Sequence, residues 1–134
     1  MKKLSTLLLG LCLVLLAACS ANTPAKVAEK AMGYMADGEM DKFVEMIYVD
    51  PDATEEETAQ GKEFLTALFK SAYESTVKSH GGYKDFKVTG EKVDEKAGTA
   101  EVEMEVTYKD GTTDDENFDL RKDQNGDWKI YLHK

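Results

Sequence analysis

Asp114 and Glu116 stand two residues apart in a stretch that also carries Phe118 and Leu120, so as a strand all four share one face. A carboxyl desolvated on such a face, at the mouth of a pocket, holds its proton more tightly and can serve as a general base. Tyr34, Tyr48, Tyr73 and Tyr108 could supply hydroxyls beside it. The competing reading leaves Asp114-Asp115-Glu116 solvated next to a turn, and the residue types favour it, because acids are rarely buried unpaired. His80 and His133 have no partner at the i, i+4 spacing of a helical metal site, so neither metal binding nor a histidine dyad is supported. No nucleophile-serine motif, phosphate loop or dinucleotide fingerprint is present, and no cofactor is implied. Met32, Met35, Met40, Met46 and Met104 could line an adaptable pocket, though core filling explains them as well.

The elements that must position these groups are legible in the periodicity. Thr23 caps a helix with Pro24 in its first turn, and Val27, Ala28, Ala31, Met32 and Met35 recur at helical spacing up to Gly38. Met40, Phe43, Val44, Ile47 and Tyr48 predict a second amphipathic helix, broken by Asp50-Pro51-Asp52. Thr54 with Glu57 is a capping box for a third, which carries Phe64, Leu65, Leu68, Phe69, Ala72, Tyr73 and Val77 and ends near His80-Gly81-Gly82. Glu55, Glu56 and Glu57 read as a charged first helical turn rather than a cation site.

The period then switches to two. Phe86 and Val88 alternate with polar residues, and Gly90 breaks the phase, predicting a bulge. Ala100, Val102, Met104, Val106 and Tyr108 alternate with an outward acidic row that includes Glu101, Glu103 and Glu105. Asp110-Gly111 marks a hairpin. A two-residue turn there would put Phe118 opposite Glu103, on the wrong face. An odd-length turn, three residues or a bulge, is required. It would set Phe118 beside Met104, Leu120 beside Val102 and Arg121 beside Glu101. Asn125-Gly126 makes the last turn, and Trp128, Ile130 and Leu132 complete the inner face.

The N-terminus carries an address. Lys2 and Lys3 precede an apolar run from Leu4 to Ala18, fifteen residues and too short to span a bilayer. Leu16-Ala17-Ala18-Cys19 resembles a bacterial lipobox, in which the signal is cut before the cysteine and the cysteine carries diacylglycerol. The expected organisation is a signal peptide over 1–18, a lipidated tether over 19–22 and one domain over 23–134. Two or three acyl chains on Cys19 give stable anchoring to the membrane. Ser20, a non-aspartate after the cysteine, resembles outer-membrane sorting if the envelope is Gram-negative.

The leader holds two of the 17 basic residues and none of the 26 acidic ones, so the mature chain has a formal charge of −11 against −9 for the whole. Such a surface repels phosphates and excludes nucleic acid as a partner. Cys12 leaves with the leader and Cys19 is spent on lipid, leaving no thiol for a disulfide or a nucleophile.

Three helices followed by an antiparallel meander make an α+β domain. Pro24 with its helix, Ala36-Asp37-Gly38-Glu39-Met40 and Gly126-Asp127-Trp128-Lys129-Ile130 together resemble the small lipoprotein domains of unknown function in the nuclear-transport-factor-2-like (cystatin-like) superfamily. That resemblance implies three N-terminal helices packed on the concave face of a curved four-stranded antiparallel sheet, a cone. It also implies a pocket that Tyr34, Phe43, Phe69, Tyr73, Met104, Asp114, Glu116 and Phe118 would line. The expected function is an envelope lipoprotein binding an apolar small molecule or a partner protein. The alternatives are an isomerase- or dehydratase-like enzyme using Asp114 or Glu116 as base, and a structural or dimerisation module. The glutamate row argues against self-association through the outer face, and the sequence assigns no oligomeric state.

Overall fold

In the computed structural model, residues 22–133 are described; the expected signal peptide, Cys19 and the rest of the expected tether before Asn22 lie outside them. The first helix, α1 (Pro24–Ala36), starts where Thr23 and Pro24 predict, with the Thr23 hydroxyl accepting from Lys26 N–H at 3.4 Å. It ends in a Schellman motif: Glu39 N–H returns to Tyr34 C=O at 2.8 Å, Gly38 N–H to Met35 C=O at 3.1 Å, and Gly38 takes φ 74°. The fully buried Ala28 and Ala31 let α1 lie close across the sheet.

Helix α2 (Met40–Val44) stops four residues short of the expected Tyr48. Ile47 instead forms a parallel bridge to Ile130. Ile130 N–H donates to Met46 C=O at 2.8 Å, and Tyr48 N–H donates to Ile130 C=O at 2.7 Å. A free sheet edge offers better partners to these backbone groups than another helical turn, and the pairing covers that edge. Phe43, Val44 and Ile47 are buried all the same.

Helix α3 (Glu55–Ala72) opens with the expected capping box. The Thr54 hydroxyl accepts from Glu57 N–H at 3.1 Å, and the Glu57 carboxylate accepts from Thr54 N–H at 3.0 Å. It runs into a π-helical turn, Tyr73–Val77, and a 3₁₀ turn, Lys78–His80, that Gly81 closes at φ 83°. The expectation that all three helices pack on the concave face holds for this one only through partly buried residues such as Leu65 and Phe69. No residue of α3 is buried, Phe64 is 67% exposed and Leu68 50%, and the helix packs chiefly on α2. Its ties to the α2 region are the Phe43–Phe69 edge-on contact, centroids 4.8 Å apart, and the Lys62–Glu45 ion pair at 2.8 Å.

Strands β1 (Tyr83–Asp94), β2 (Thr99–Tyr108), β3 (Thr113–Lys122) and β4 (Trp128–Ile130) form an antiparallel meander in that order. The β1–β2 register shifts between Val88 and Gly90, as the phase break at Gly90 predicts. The β2–β3 connection is odd, three residues long: Tyr108 N–H donates to Thr112 C=O at 2.9 Å across Lys109-Asp110-Gly111. The register nonetheless differs by two residues from the expected one. Phe118 faces Val102, Leu120 faces Ala100, and Glu116, not Phe118, faces Met104. Arg121 sits opposite Thr99, while Glu101 sits opposite Asp119, so the expected Arg121–Glu101 pair does not form. A three-residue loop ends on a left-handed residue, and Gly111 at φ 90° takes that place, which centres the hairpin on Asp110.

Candidate functional site

The inner face of β2 and β3 positions Glu116 toward a cluster of tyrosines. Tyr83 and Tyr108 stack with centroids 5.4 Å apart, and Tyr73 lies 6.3 Å from Tyr83. Burial raises the Tyr83 phenol well above its ordinary range, reinforced by Tyr108 and Glu116. Tyr108 is raised too, first by burial and then by Asp114 and Glu116. Half-buried Glu116 is raised by desolvation and by the neighbouring Asp114 charge. Each of these groups therefore keeps its proton to higher pH than it would in water. Asp114 and Asp115 belong to the paired strand but are exposed.

Both histidines find aspartates that are distant in sequence, which spacing alone could not reveal. His80 Nδ1 lies 2.6 Å from Asp110 Oδ2, and its ring stacks on Tyr108 at 4.8 Å. Asp110 is lowered to about 2, first by the Thr112 hydroxyl and backbone N–H it accepts from, then by His80. His133 Nε2 lies 2.5 Å from Asp119 Oδ2. Among the described residues no group of three or more His, Cys, Asp or Glu side chains converges to hold a metal ion.

Because α3 stands off the sheet, a hollow remains. An inner chamber of about 300 Å³ is bounded by Met32, Phe43, Phe69, Glu116, Phe118 and Ile130. Phe69, Tyr131, Leu132 and His133 also bound an outer groove of about 850 Å³ between α3 and the end of the last strand. Of the eight residues expected to line a pocket, Phe43, Phe69, Glu116 and Phe118 come together here. The other four do not. Met104 is sealed in the core, Tyr73 joins the tyrosine stack, and Asp114 faces solvent. Tyr34 lies under the Lys30 and Lys42 ammonium groups, each 5.9 Å from its ring.

The groove holds residues that sequence reasoning did not single out as a site. The Arg121 guanidinium lies 3.9 Å from the Tyr131 ring centroid and 5.6 Å from that of Tyr48. The two tyrosines meet edge-on at 5.8 Å. The apolar wall is Phe64, Leu65, Leu68 and Phe69. Its only sequence signal was a helix with apolar residues on more than its buried width.

The fold has solved counterparts. A Campylobacter jejuni protein described as an NTF2-like transpeptidase superposes with TM-score 0.70 at 17% identity, over 83% of this chain and 99% of that one. A SEC-C motif containing protein from Rhodopseudomonas palustris superposes with TM-score 0.55 at 16% identity, over 90% of this chain and 84% of that one. At these identities the likeness is one of fold, and the fold is nuclear-transport-factor-2-like. No curated protein sequence matches the chain. A family model does, over residues 17–131, and the chain belongs to that family, the domain of unknown function DUF4878.

Proposed function

We propose that this chain is a bacterial envelope lipoprotein, held to the membrane by lipid on Cys19, whose domain binds an apolar or amphipathic molecule in the groove under α3. The observation that carries the binding reading is the wall of that groove. Phe64 and Leu68 are exposed side by side, one helical turn apart, over a space the protein's own side chains leave unfilled. Exposed apolar surface lining a concavity of this size is the usual mark of a ligand site. The anchor reading is supported by the Leu16-Ala17-Ala18-Cys19 pattern after a leader of the right length.

Native mass spectrometry of the full-length product, extracted from membranes with its surrounding lipid by a styrene–maleic acid copolymer, tests both parts. The expected species begins at an acylated Cys19 and carries an additional bound mass that Phe64→Ser with Leu68→Ser removes. An unmodified Cys19 overturns the anchor. A bound mass that survives the double substitution overturns the groove. A second reading rests on Glu116, whose raised affinity for a proton beside Tyr83 and Tyr108 suits a general acid–base group. It requires that Glu116→Gln abolish turnover of a bound compound without releasing it.

A further inference from the structure

We infer that the groove takes a single-chain amphiphile with a carboxylate head, a free fatty acid, and that Arg121 is the residue that recognises the head. This rests on the groove being a binding site. Arg121 is the chain's one arginine, in a sequence with 26 acidic residues, yet it makes no ion pair among the described residues. The β2–β3 register explains how it escapes one, since the cross-strand place opposite it is Thr99 rather than Glu101. Asp119, two residues before Arg121 on β3, and Asp50, the carboxylate in the groove lining, have other partners. Asp119 is held by His133 at 2.5 Å, and Asp50 accepts from Asp52 N–H at 3.0 Å. Close contact with the Tyr131 ring, with the Tyr48 ring further off, holds the guanidinium at the groove wall, and no ion pair among the described residues occupies its N–H groups. A planar fork held in this way matches a carboxylate bidentately.

The rest of the groove fits the tail. From Arg121 it runs along Phe64, Leu65, Leu68 and Leu132, and its volume of about 850 Å³ accommodates one acyl chain. Charge complementarity at one end and apolar lining along the other side define the same class of ligand. Binding buries the tail and gives the guanidinium the counter-charge it lacks.

Equilibrium dialysis of radiolabelled dodecanoate and of dodecanol, against the full-length protein in phosphatidylcholine nanodiscs with empty nanodiscs subtracted, tests this. The expected result is saturable binding of one dodecanoate per chain, weakened about tenfold in Arg121→Gln, as loss of a charge-assisted pair requires. Arg121→Lys should fall between, since it keeps the charge and loses the fork. Dodecanol, with the same tail and no charge, should bind Arg121→Gln and the parent equally. Both variants alter a half-buried residue on β3, between β2 and β4, and an unchanged near-ultraviolet circular dichroism spectrum verifies their fold. Dodecanoate binding that is insensitive to Arg121→Gln but lost in Phe64→Ser with Leu68→Ser overturns the head recognition and leaves the groove standing. Absence of saturable binding by either probe overturns both.

Discussion

Replacing Phe69 with Ala should loosen α3 without unfolding the sheet. Phe69 is the helix's main apolar tie, half-buried and edge-on to Phe43 at 4.8 Å, while Phe43 itself is only 2% exposed. A fully buried Phe→Ala change costs about 3–5 kcal/mol, and the edge-on ring pair accounts for about 0.5–1.5 of that kind of loss. For a half-buried ring the cost falls to about 2 kcal/mol. It should be felt locally, because no residue of α3 is fully buried and the Lys62–Glu45 pair is too exposed to hold the helix by itself. An opening free energy reduced by about 2 kcal/mol corresponds to roughly thirtyfold faster exchange of the α3 amides. Hydrogen exchange read by mass spectrometry on the membrane-extracted protein would report it, with peptides from 62–72 accelerated and those from β2 unchanged. Equal acceleration in β2 would mean that α3 and the sheet unfold as one unit, and unchanged exchange in α3 would mean that Phe69 is not its anchor. Either result refutes the reasoning.

Thr54→Ala removes one half of the capping box and should cost about 1 kcal/mol, read as a lower urea midpoint at unchanged m-value. Glu116 has a raised folded-state pKa, so its protonated form contributes stability at low pH that is lost as pH rises through that value. Glu116→Gln, neutral throughout, should therefore have a higher Tm than the parent near neutral pH and match it at low pH; a lower Tm at neutral pH would show the carboxylate to be stabilising. Asp110 is depressed in the opposite sense, so its contribution is present above its ordinary range and lost as pH falls through about 2. Asp110→Asn should lower Tm at pH 6 and flatten the loss of Tm between about pH 4 and 2, and an acid limb identical to the parent's would contradict the assignment.

What could be read from the sequence was whatever a few neighbouring residues decide. Thr54 and Glu57 make their box, Gly38 ends α1 and Gly90 shifts a register, because each depends on backbone groups within a few positions. The parity of the β2–β3 turn was legible as well. The position of the turn was also encoded, in the requirement that Gly111 be the last of three loop residues, and the expected register, which centres the loop on Gly111, missed it. The truncation of α2 was not legible, since Ile47 leaves helical geometry for a strand more than eighty residues away. The candidate site was half visible for the same reason. Alternation puts Glu116 and Phe118 on one face, but nothing local brings Arg121 to Tyr131 or leaves Phe64 and Leu68 uncovered.

The first described residue of the chain is itself fastened to the last strand: Asn22 Oδ1 accepts from Trp128 N–H at 2.5 Å. With the proposed acyl anchor on Cys19, only Ser20 and Ala21 stand between the lipidated residue and the fastening, a leash of about 10 Å over three residue steps. So short a leash leaves the domain free to spin about the membrane normal but not to topple far from it. The corner around Trp128 becomes a fixed pole. The segment that follows this strand, Tyr131 to His133, lies about 10–15 Å further along. The groove would thus stay within about 25 Å of the lipid, and a molecule with an acyl tail would have only a short distance to travel between the two.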